Sequence, residues 1–177
     1  MLKLIKIGNL IYQNIEPKTV DENGNEIWNI PQDETELKSC FKDTLDWFTT
    51  RYINQKLQEI QEDLPDLVSE KSWLEGVFAA RGISPEDVRN ATVAVVIGQK
   101  TVDEAISELS IPEDLIPDFK RAVEIAKIIA WKEAIWKAEA TLEEQVDSMT
   151  LEELLQLDVK KLCQDAYAQI PLEVSGD

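Results

Sequence analysis

The sequence predicts a mainly α protein, a helical bundle of five to seven helices with a small N-terminal β-hairpin or strand element. Three observations favour this fold class. Residues 2–30 alternate between apolar and polar side chains and contain two turn dipeptides, a pattern typical of short strands. From residue 32 onward, apolar side chains recur at helical spacing. Helix-start signatures then divide this second region into separate helices.

The first 31 residues predict a small β element. Residues 2–15 read as one or two strands, with a turn available at Gly8-Asn9. Asn23-Gly24 suits a two-residue type I′ turn, in which both central residues have positive φ. Pro31 ends the β region. Because so few strands are not stable alone, we expect residues 1–31 to pack on the helices, on a partner, or on both, and to act as a partner-binding arm.

Residues 32–170 predict a helical domain, and residues 171–177 a loose tail. The helix starts share a capping side chain, and most of them are followed three positions later by an acid. They predict helices from Asp33 to about Asp63, from Ser69 to Gly82, from Ser84 to about Gly98, from Thr101, from Ser110, from about Asp118 to Ser148, from Thr150, and again from Asp158.

The long helix after Pro117 is apolar around most of its circumference between Ala122 and Trp136. Trp131 and Trp136 lie five residues apart, so they cannot share one narrow face. A helix that is apolar on several faces is enclosed on several sides. We therefore expect this helix either to form the centre of the core or to provide an oligomer contact.

The residue inventory excludes much catalytic chemistry. Without histidine, the chain cannot form Ser-His-Asp or Cys-His triads or His-ligated zinc sites. Its six glycines form neither a dinucleotide fingerprint nor a phosphate loop. Cys40 and Cys163 lie at apolar helical positions and are predicted to be small buried hydrophobic residues; a disulfide would require their two helices to meet at the right geometry. Carboxylate pairs stay open as acid–base groups, but we predict no catalytic residue, no cofactor and no metal site.

The acidic stretch from Asp21 to Glu26 has side-chain oxygens that would suit calcium. Asp21, Asn23 and Asn25 match positions 1, 3 and 5 of an EF-hand loop. Position 6 is Glu26 instead of glycine, however, and position 12 is Gln32 instead of glutamate. The glycine stands where an Asn-Gly turn requires it. The stretch is therefore predicted to be the tip of a hairpin.

The charge balance constrains the partners. With 35 acidic and 18 basic residues, the formal net charge is -17. Such a charge repels phosphate backbones and anionic membranes, so neither nucleic acid nor membrane is an expected partner. It favours basic proteins instead. The most apolar segment carries too many charges to span a membrane.

Residues 101–126 resemble a helix-turn-helix, with a capped helix, a short break and a second helix. A DNA reader would place basic and amide side chains at the start of the second helix. This chain has Glu113, Asp114 and Asp118 there, and Lys120 and Arg121 only later. A helix-turn-helix regulator is therefore an alternative function. Another alternative is an acidic inhibitor that mimics DNA and occupies a host nucleic-acid-binding protein.

The N-terminal pattern "KIGNLIYQNI…DENGNEIWNIP", followed by "DTLDWFTTRYINQKL", resembles short accessory proteins of bacteriophage tails, including tail-fibre assembly proteins. The resemblance covers mainly residues 1–55 and contains no catalytic motif. It implies a non-enzymatic structural or assembly protein, located in the host cytoplasm or the virion. Its partner would be a tail or fibre protein, and self-association into a homo-oligomer is also open.

Aromatic and apolar side chains on the β element are the first candidates for contact with a partner, because tryptophan is enriched at interfaces. The two tryptophans of the long helix form a second candidate patch. The expected contact residues are Tyr12, Ile27, Trp28, Ile30, Trp131 and Trp136.

Overall fold

A computed structural model describes residues 2–173 and confirms the predicted fold class. The described residues form two small β-hairpins followed by seven α-helices. The elements are β1 (Leu2–Ile7), β2 (Leu10–Ile15), β3 (Lys18–Val20), β4 (Glu26–Trp28), α1 (Glu34–Glu59), α2 (Leu64–Ala80), α3 (Pro85–Val96), α4 (Val102–Glu108), α5 (Ile116–Ser148), α6 (Leu151–Leu154) and α7 (Val159–Tyr167). A single 3-10 turn, Glu113–Leu115, precedes α5. Of the predicted tail at 171–177, residues 174–177 lie outside the described part.

The chain divides into two compact units. The first contains the described residues up to Ile53 together with Ala134–Ile170. The second contains Asn54–Glu133 and the described residues that follow Ile170. The chain passes between the units within α1 and within α5. All four strands belong to the first unit.

The first unit has a core made by β1, the N-terminal part of α1, the C-terminal part of α5, and α7. Leu2 and Ile5 of β1 are fully buried, and Leu4 is 6 % exposed. Adjacent residues on a strand point to opposite faces, so both faces of β1 are covered. Phe41 of α1 is also fully buried, which on its own stabilises the fold by roughly 1.5–3 kcal/mol relative to exposure.

Polar side chains inside the first unit are paired. Thr49 of α1 forms a short hydrogen bond with the hydroxyl of Tyr167 on α7. The Tyr167 ring also packs at a tilt against Tyr52, with 5.1 Å between ring centroids. Burial raises the pKa of Tyr167, so the phenol stays neutral. These contacts join α1 to α7.

The second unit has its own core. Leu74 and Phe78 of α2 are buried, as are Val88 of α3 and Phe119 of α5. The Phe78 and Phe119 rings meet edge to face, with 6.3 Å between centroids, a geometry that their ring quadrupoles favour. From residue 121 to residue 132, no side chain of α5 is fully exposed. The apolar residues around the circumference of this helix thus correctly predicted that this segment is enclosed.

Most helix starts lie where the sequence predicts them. Ser84 accepts a hydrogen bond from the N–H of Asp87, and Thr101 and Thr150 form complete capping boxes. Asp33 caps α1 by accepting from the N–H of Glu36 at 2.9 Å, and Asp158 caps α7.

Two predicted starts are wrong. Ser69 is not a cap, because α2 begins five residues earlier, at Leu64 after Asp63, and Ser69 donates its hydroxyl to the carbonyl of Pro65. Ser110 does not open a capping box either. It adopts a positive φ of 50° just after α4 and so helps to end that helix. In both cases a proline at the true start of the next element outweighs the serine signal.

Both cysteines are buried, as predicted, and both are free thiols. Cys163 is fully buried, and burial raises its pKa to about 12, so its reactive thiolate form is suppressed at neutral pH. Separately, no helix in the described range 2–173 has the length and apolarity that a membrane crossing requires.

Glu139 of α5 is the one acidic side chain that the described core buries, with 7 % exposure. Burial, together with the nearby carboxylates of Glu143 and Asp46, raises its pKa to about 7. Across from it on α7 stand Cys163 and Tyr167, whose own pKa values Glu139 raises in turn. Near neutral pH this group therefore changes between a neutral and a charged form inside the core.

We predict that Glu139 makes the free energy of unfolding depend on pH. Its folded pKa exceeds its unfolded value, so its contribution is fully present below about pH 4.5 and is lost as the pH rises through 7. Glu139→Gln, which stays neutral, should raise the free energy of unfolding at pH 8 by on the order of 2 kcal/mol. Urea unfolding between pH 4.5 and 8.5 measures this.

The matched control is Glu144→Gln, which removes the same charge from an exposed position of the same helix. The control should show only the small effect of lowering the net charge. Equal stabilisation by both variants, or no pH dependence in the gain from Glu139→Gln, would contradict the role given to burial.

Candidate protein-binding surface

The first hairpin is closed by a tight turn that fixes its register. Ile7 pairs with Leu10, so the loop is the dipeptide Gly8-Asn9. Gly8 has a φ of 59°, and Asn9 is not among the residues with positive φ. A positive φ at the first central residue alone is typical of a type II′ turn, which matches the twist of the strands. The sequence therefore located this turn correctly.

The outer edge of β1 is satisfied by α1. The backbone N–H of Lys6 donates to Oγ1 of Thr44 at 2.8 Å, and the Thr44 hydroxyl donates in turn to the carbonyl of Cys40 at 2.6 Å. Thr44 is fully buried. The edge of this strand is therefore covered by protein.

The outer edge of β2 is free in the described chain. Because the N–H of Lys6 points away from β2, Lys6 and Ile11 form a non-hydrogen-bonded pair. By the same alternation, Ile11 and Gln13 point their N–H and C=O groups away from β1, whereas Asn14 adopts a positive φ of 53° and interrupts the regular strand before Ile15. No third strand pairs with this sheet, and no described backbone hydrogen bond reaches these groups. Such an edge is a template for another strand.

The second hairpin has a different turn from the predicted type I′. Gly24 alone has positive φ, at 85°, while Asn23 does not. The N–H of Gly24 donates to the carbonyl of Asp21 at 3.1 Å, and the N–H of Asp21 donates to the carbonyl of Asn25 at 2.9 Å. The loop is therefore three residues long, a type I turn followed by a left-handed glycine. The Asn-Gly pair located the hairpin but not its turn type.

The carboxylate of Asp21 organises this turn. It accepts the backbone N–H groups of Asn23 and Asn25, both at 2.8 Å, and the side-chain amide of Asn25 at 3.0 Å. These bonds, led by the Asn25 side chain, lower the pKa of Asp21. Because the carboxylate oxygens of Asp21 already accept these N–H groups, they stabilise the hairpin turn. Among residues 2–173, no three acidic or cysteine side chains are placed to hold a metal ion.

The β element exposes apolar side chains to solvent. Leu10 is 61 % exposed, Val20 66 % and Ile27 47 %. Leu10 follows the first turn, Val20 ends β3, and Ile27 lies in β4 opposite Thr19. Together with the free edge of β2, they define what we call the strand surface: residues 10–15, Val20 and Ile27.

Three of the expected contact residues lie on or beside the strand surface. Tyr12 is half-buried and pairs with Ile5, and Ile27 is exposed. Trp28 is half-buried, with the ammonium of Lys18 4.2 Å from its ring centroid. This cation–π contact covers one face of the indole, so Trp28 is less accessible than its position in a hairpin indicates.

The other three expected residues are placed differently. Ile30 and Trp131 are each 5 % exposed, so their side chains belong to the cores of the first and second unit respectively. Trp136 is half-buried on α5. The sequence pattern could not separate Ile30 from Ile27, because it does not show where the hairpin ends: the N–H of Asn29 still donates across it to the carbonyl of Pro17, and Ile30 is the next residue.

Leu10, Val20 and Trp73 are exposed, but the sequence pattern did not identify them as contact residues. Leu10 shares the alternation of the buried Leu2 and Leu4, but it lies at the far end of the hairpin. Val20 borders an acidic turn. A signal was available in both cases: an apolar residue next to a hairpin turn extends past the supporting core.

The helix-turn-helix-like segment offers little charge for DNA. Arg121 donates to both carboxylate oxygens of Glu70, at 2.9 and 2.7 Å, and pairs with Glu62 at 2.8 Å. These bonds raise its pKa further above its ordinary value. The guanidinium is therefore held by acidic side chains of the second unit. Lys120, the preceding residue, is the exposed base beside it.

No protein-family model matches the chain, and neither a curated protein nor a solved structure shows a significant similarity to it. The proposed function of this chain therefore rests on the geometry of the strand surface.

We predict that Asp21→Ala opens the second hairpin, because the N–H groups of Asn23 and Asn25 lose their acceptor. Cross-strand proton contacts between Thr19 and Ile27, measured by NMR, should weaken or vanish. In the wild-type chain the same contacts should persist above about pH 4, and be lost as the pH falls through the lowered pKa of Asp21.

Glu22→Ala is the matched control, since Glu22 is an exposed acid of the same turn with no described hydrogen bond. It should leave the cross-strand contacts intact. If Asp21→Ala also leaves them intact, the carboxylate does not hold the turn. A shift of the Asn25 amide on adding calcium would restore the metal-loop interpretation.

Proposed function

We propose that the protein is a non-enzymatic assembly protein that binds another protein through its strand surface, and that the partner is a tail or fibre protein of a bacteriophage. The observation that carries the binding mode is the unpaired edge of β2, at Ile11 and Gln13, with Leu10 exposed beside it. An extended segment that adds to a sheet edge gains main-chain hydrogen bonds.

Two features support a stable docking platform. The strand that carries the free edge is backed by β1, whose own outer edge is tied to α1 through Thr44. A partner strand would therefore meet a preformed edge, which lowers the conformational entropy cost of binding. The exposed apolar residues Val20 and Ile27 on the second hairpin add surface that water solvates poorly.

The identity of the partner rests on the resemblance of residues 1–55 to tail accessory and tail-fibre assembly proteins. A regulator that reads DNA is less well supported. The net charge of -17 repels phosphate, and Arg121 is held by Glu62 and Glu70. A DNA mimic would use the acids, which are spread along the helices with lysines interspersed, as on ordinary solvated helix faces.

A photo-crosslinking amino acid at Leu10 tests the proposal directly. Cells that produce the phage should yield a crosslink from position 10 to a tail or fibre protein, identified by mass spectrometry. The same amino acid at Ala140, an exposed position of α5, should give none. No crosslink from position 10, or crosslinks only to proteins unrelated to tails or fibres, would contradict the proposal.

We predict that Gln13→Pro weakens partner binding at least about fivefold. Proline removes the outward N–H of Gln13 but none of the bonds to β1, and a partner carbonyl left without its donor costs about 1–3 kcal/mol. Gln13→Ala, which keeps the N–H, is the matched control and should bind within about twofold of wild type. Titration of the purified crosslinked partner against the three chains measures this.

Equal binding by the proline and alanine variants would show that β2 is not the docking edge. Circular dichroism and thermal unfolding of Gln13→Pro must match those of wild type, so that a loss of binding reports the edge and not a misfolded hairpin.

A further inference from the structure

The second unit contains an apolar groove of about 380 Å³ bounded by α2, α3 and α5. Leu74 and Phe78 form the α2 wall, and Val93 and Ile97 belong to the α3 wall. A cavity of about 150 Å³ with apolar walls already accommodates a benzene ring. This groove therefore has room for two or three large apolar side chains.

The floor of the groove explains why it exists. Ala122, Ala126 and Ala130 line it from α5. Residues four apart lie above one another on the same face of a helix. Three consecutive turns of α5 thus present methyl groups to the floor, and Ile129 and Glu133 are the larger side chains of this helix that also line the groove.

The rim of the groove is apolar and open to solvent. Val93 is 53 % exposed and Ile97 58 %, although both line the groove. Val68 and Trp73 of α2 are also more than half exposed, although neither lines the groove. Exposed apolar residues grouped around a concave surface indicate an interaction site more than scattered single residues do.

Charge selects among the occupants of such a groove. At the rim, Arg89 pairs with Glu75, with 3.1 Å between Nε and Oε1. Two further charged residues line the groove: Glu133, which is exposed and has no described ion pair, and Lys71. The whole chain carries -17. A second copy, or an anionic amphiphile, would approach against that field, whereas a cationic segment would approach with it.

We propose that this groove binds a basic amphipathic helix of a partner protein. The helix would insert two or three apolar side chains, spaced three and four residues apart, over the alanines of α5, as helix-in-groove recognition does. Its lysines and arginines would face Glu133 and the acidic surroundings. The groove lies on the second unit, so this inference is independent of the strand surface.

Two synthetic peptides of about 18 residues, or roughly five helical turns, test the proposal. They share one apolar face of leucine and phenylalanine and differ only in the other face, which carries lysine in one peptide and glutamate in the other. Fluorescence anisotropy with the full chain should show binding of the basic peptide at least about tenfold tighter than that of the acidic peptide. A third peptide with the basic composition but a scrambled apolar face separates groove binding from simple charge attraction.

Variants of the chain locate the binding. Ala126→Phe fills the floor and should weaken the basic peptide at least about tenfold. Ala140→Phe, the same change at an exposed position of α5, should have no effect. The double variant Val93→Ser with Ile97→Ser alters only exposed rim residues, so it keeps the fold and should also weaken binding. It decides the case if Ala126→Phe fails to fold.

Several results would overturn the proposal. Equal binding of the basic and scrambled peptides rejects the stated occupant, and so does binding of the acidic peptide as tight as that of the basic one. Unchanged binding in the rim variant rejects the groove. A dissociation constant above about 1 mM for the basic peptide rejects helix binding. A dimer that Ala126→Phe dissociates would identify a second copy as the occupant instead.

Discussion

One hydrogen bond organises the N-terminal part of this protein: the N–H of Lys6 donates to the hydroxyl of Thr44, which is itself held by the carbonyl of Cys40. A two-stranded sheet has two outer edges, and each needs a partner or water. Thr44 supplies the partner for β1 inside the fold. The direction of this bond also shows that the groups of Ile11 and Gln13 on β2 point outward, because outward and inward groups alternate along the hairpin. The buried edge makes the hairpin rigid, and the exposed edge is what a partner strand can use.

Exposed large apolar side chains of the described chain fall on two separate regions. Leu10, Val20 and Ile27 lie on the hairpins of the first unit, and Val68, Trp73, Val93 and Ile97 lie on α2 and α3 of the second. A protein with 35 acidic residues has ample charge to cover its surface, so two such concentrations favour contact with other proteins over chance. The proposals for the strand surface and the groove assign each region a different partner chemistry: an extended segment in one case and a basic helix in the other.

Local signals predicted the elements well, because turns and caps depend on a few neighbouring residues. Gly8-Asn9, Ser84-Pro85 and the capping boxes at Thr101 and Thr150 illustrate this. Local sequence signals failed where a contact or a residue outside the motif determines the turn type or the helix start. Asp21 binds Asn25 and lengthens the loop around Asn23-Gly24, and Pro65 moves the start of α2 ahead of Ser69. The sites were harder still. Burial of Ile30 and exposure of Leu10 depend on where the core ends, and the groove arises from three alanines whose significance appears only once α2 and α3 flank them.

The central claim is that β2 presents a preformed, unoccupied edge, and hydrogen exchange of individual backbone amides tests it most directly. In the isolated chain, the Lys6 amide should be protected by Thr44, as should the amides of Ile5 and Tyr12, which form a hydrogen-bonded pair. The amides of Ile11 and Gln13 should exchange quickly and become protected when the partner binds. Rapid exchange at Lys6, or strong protection at Ile11 and Gln13 in the isolated chain, would contradict the account, since the edge would then be either unformed or already covered.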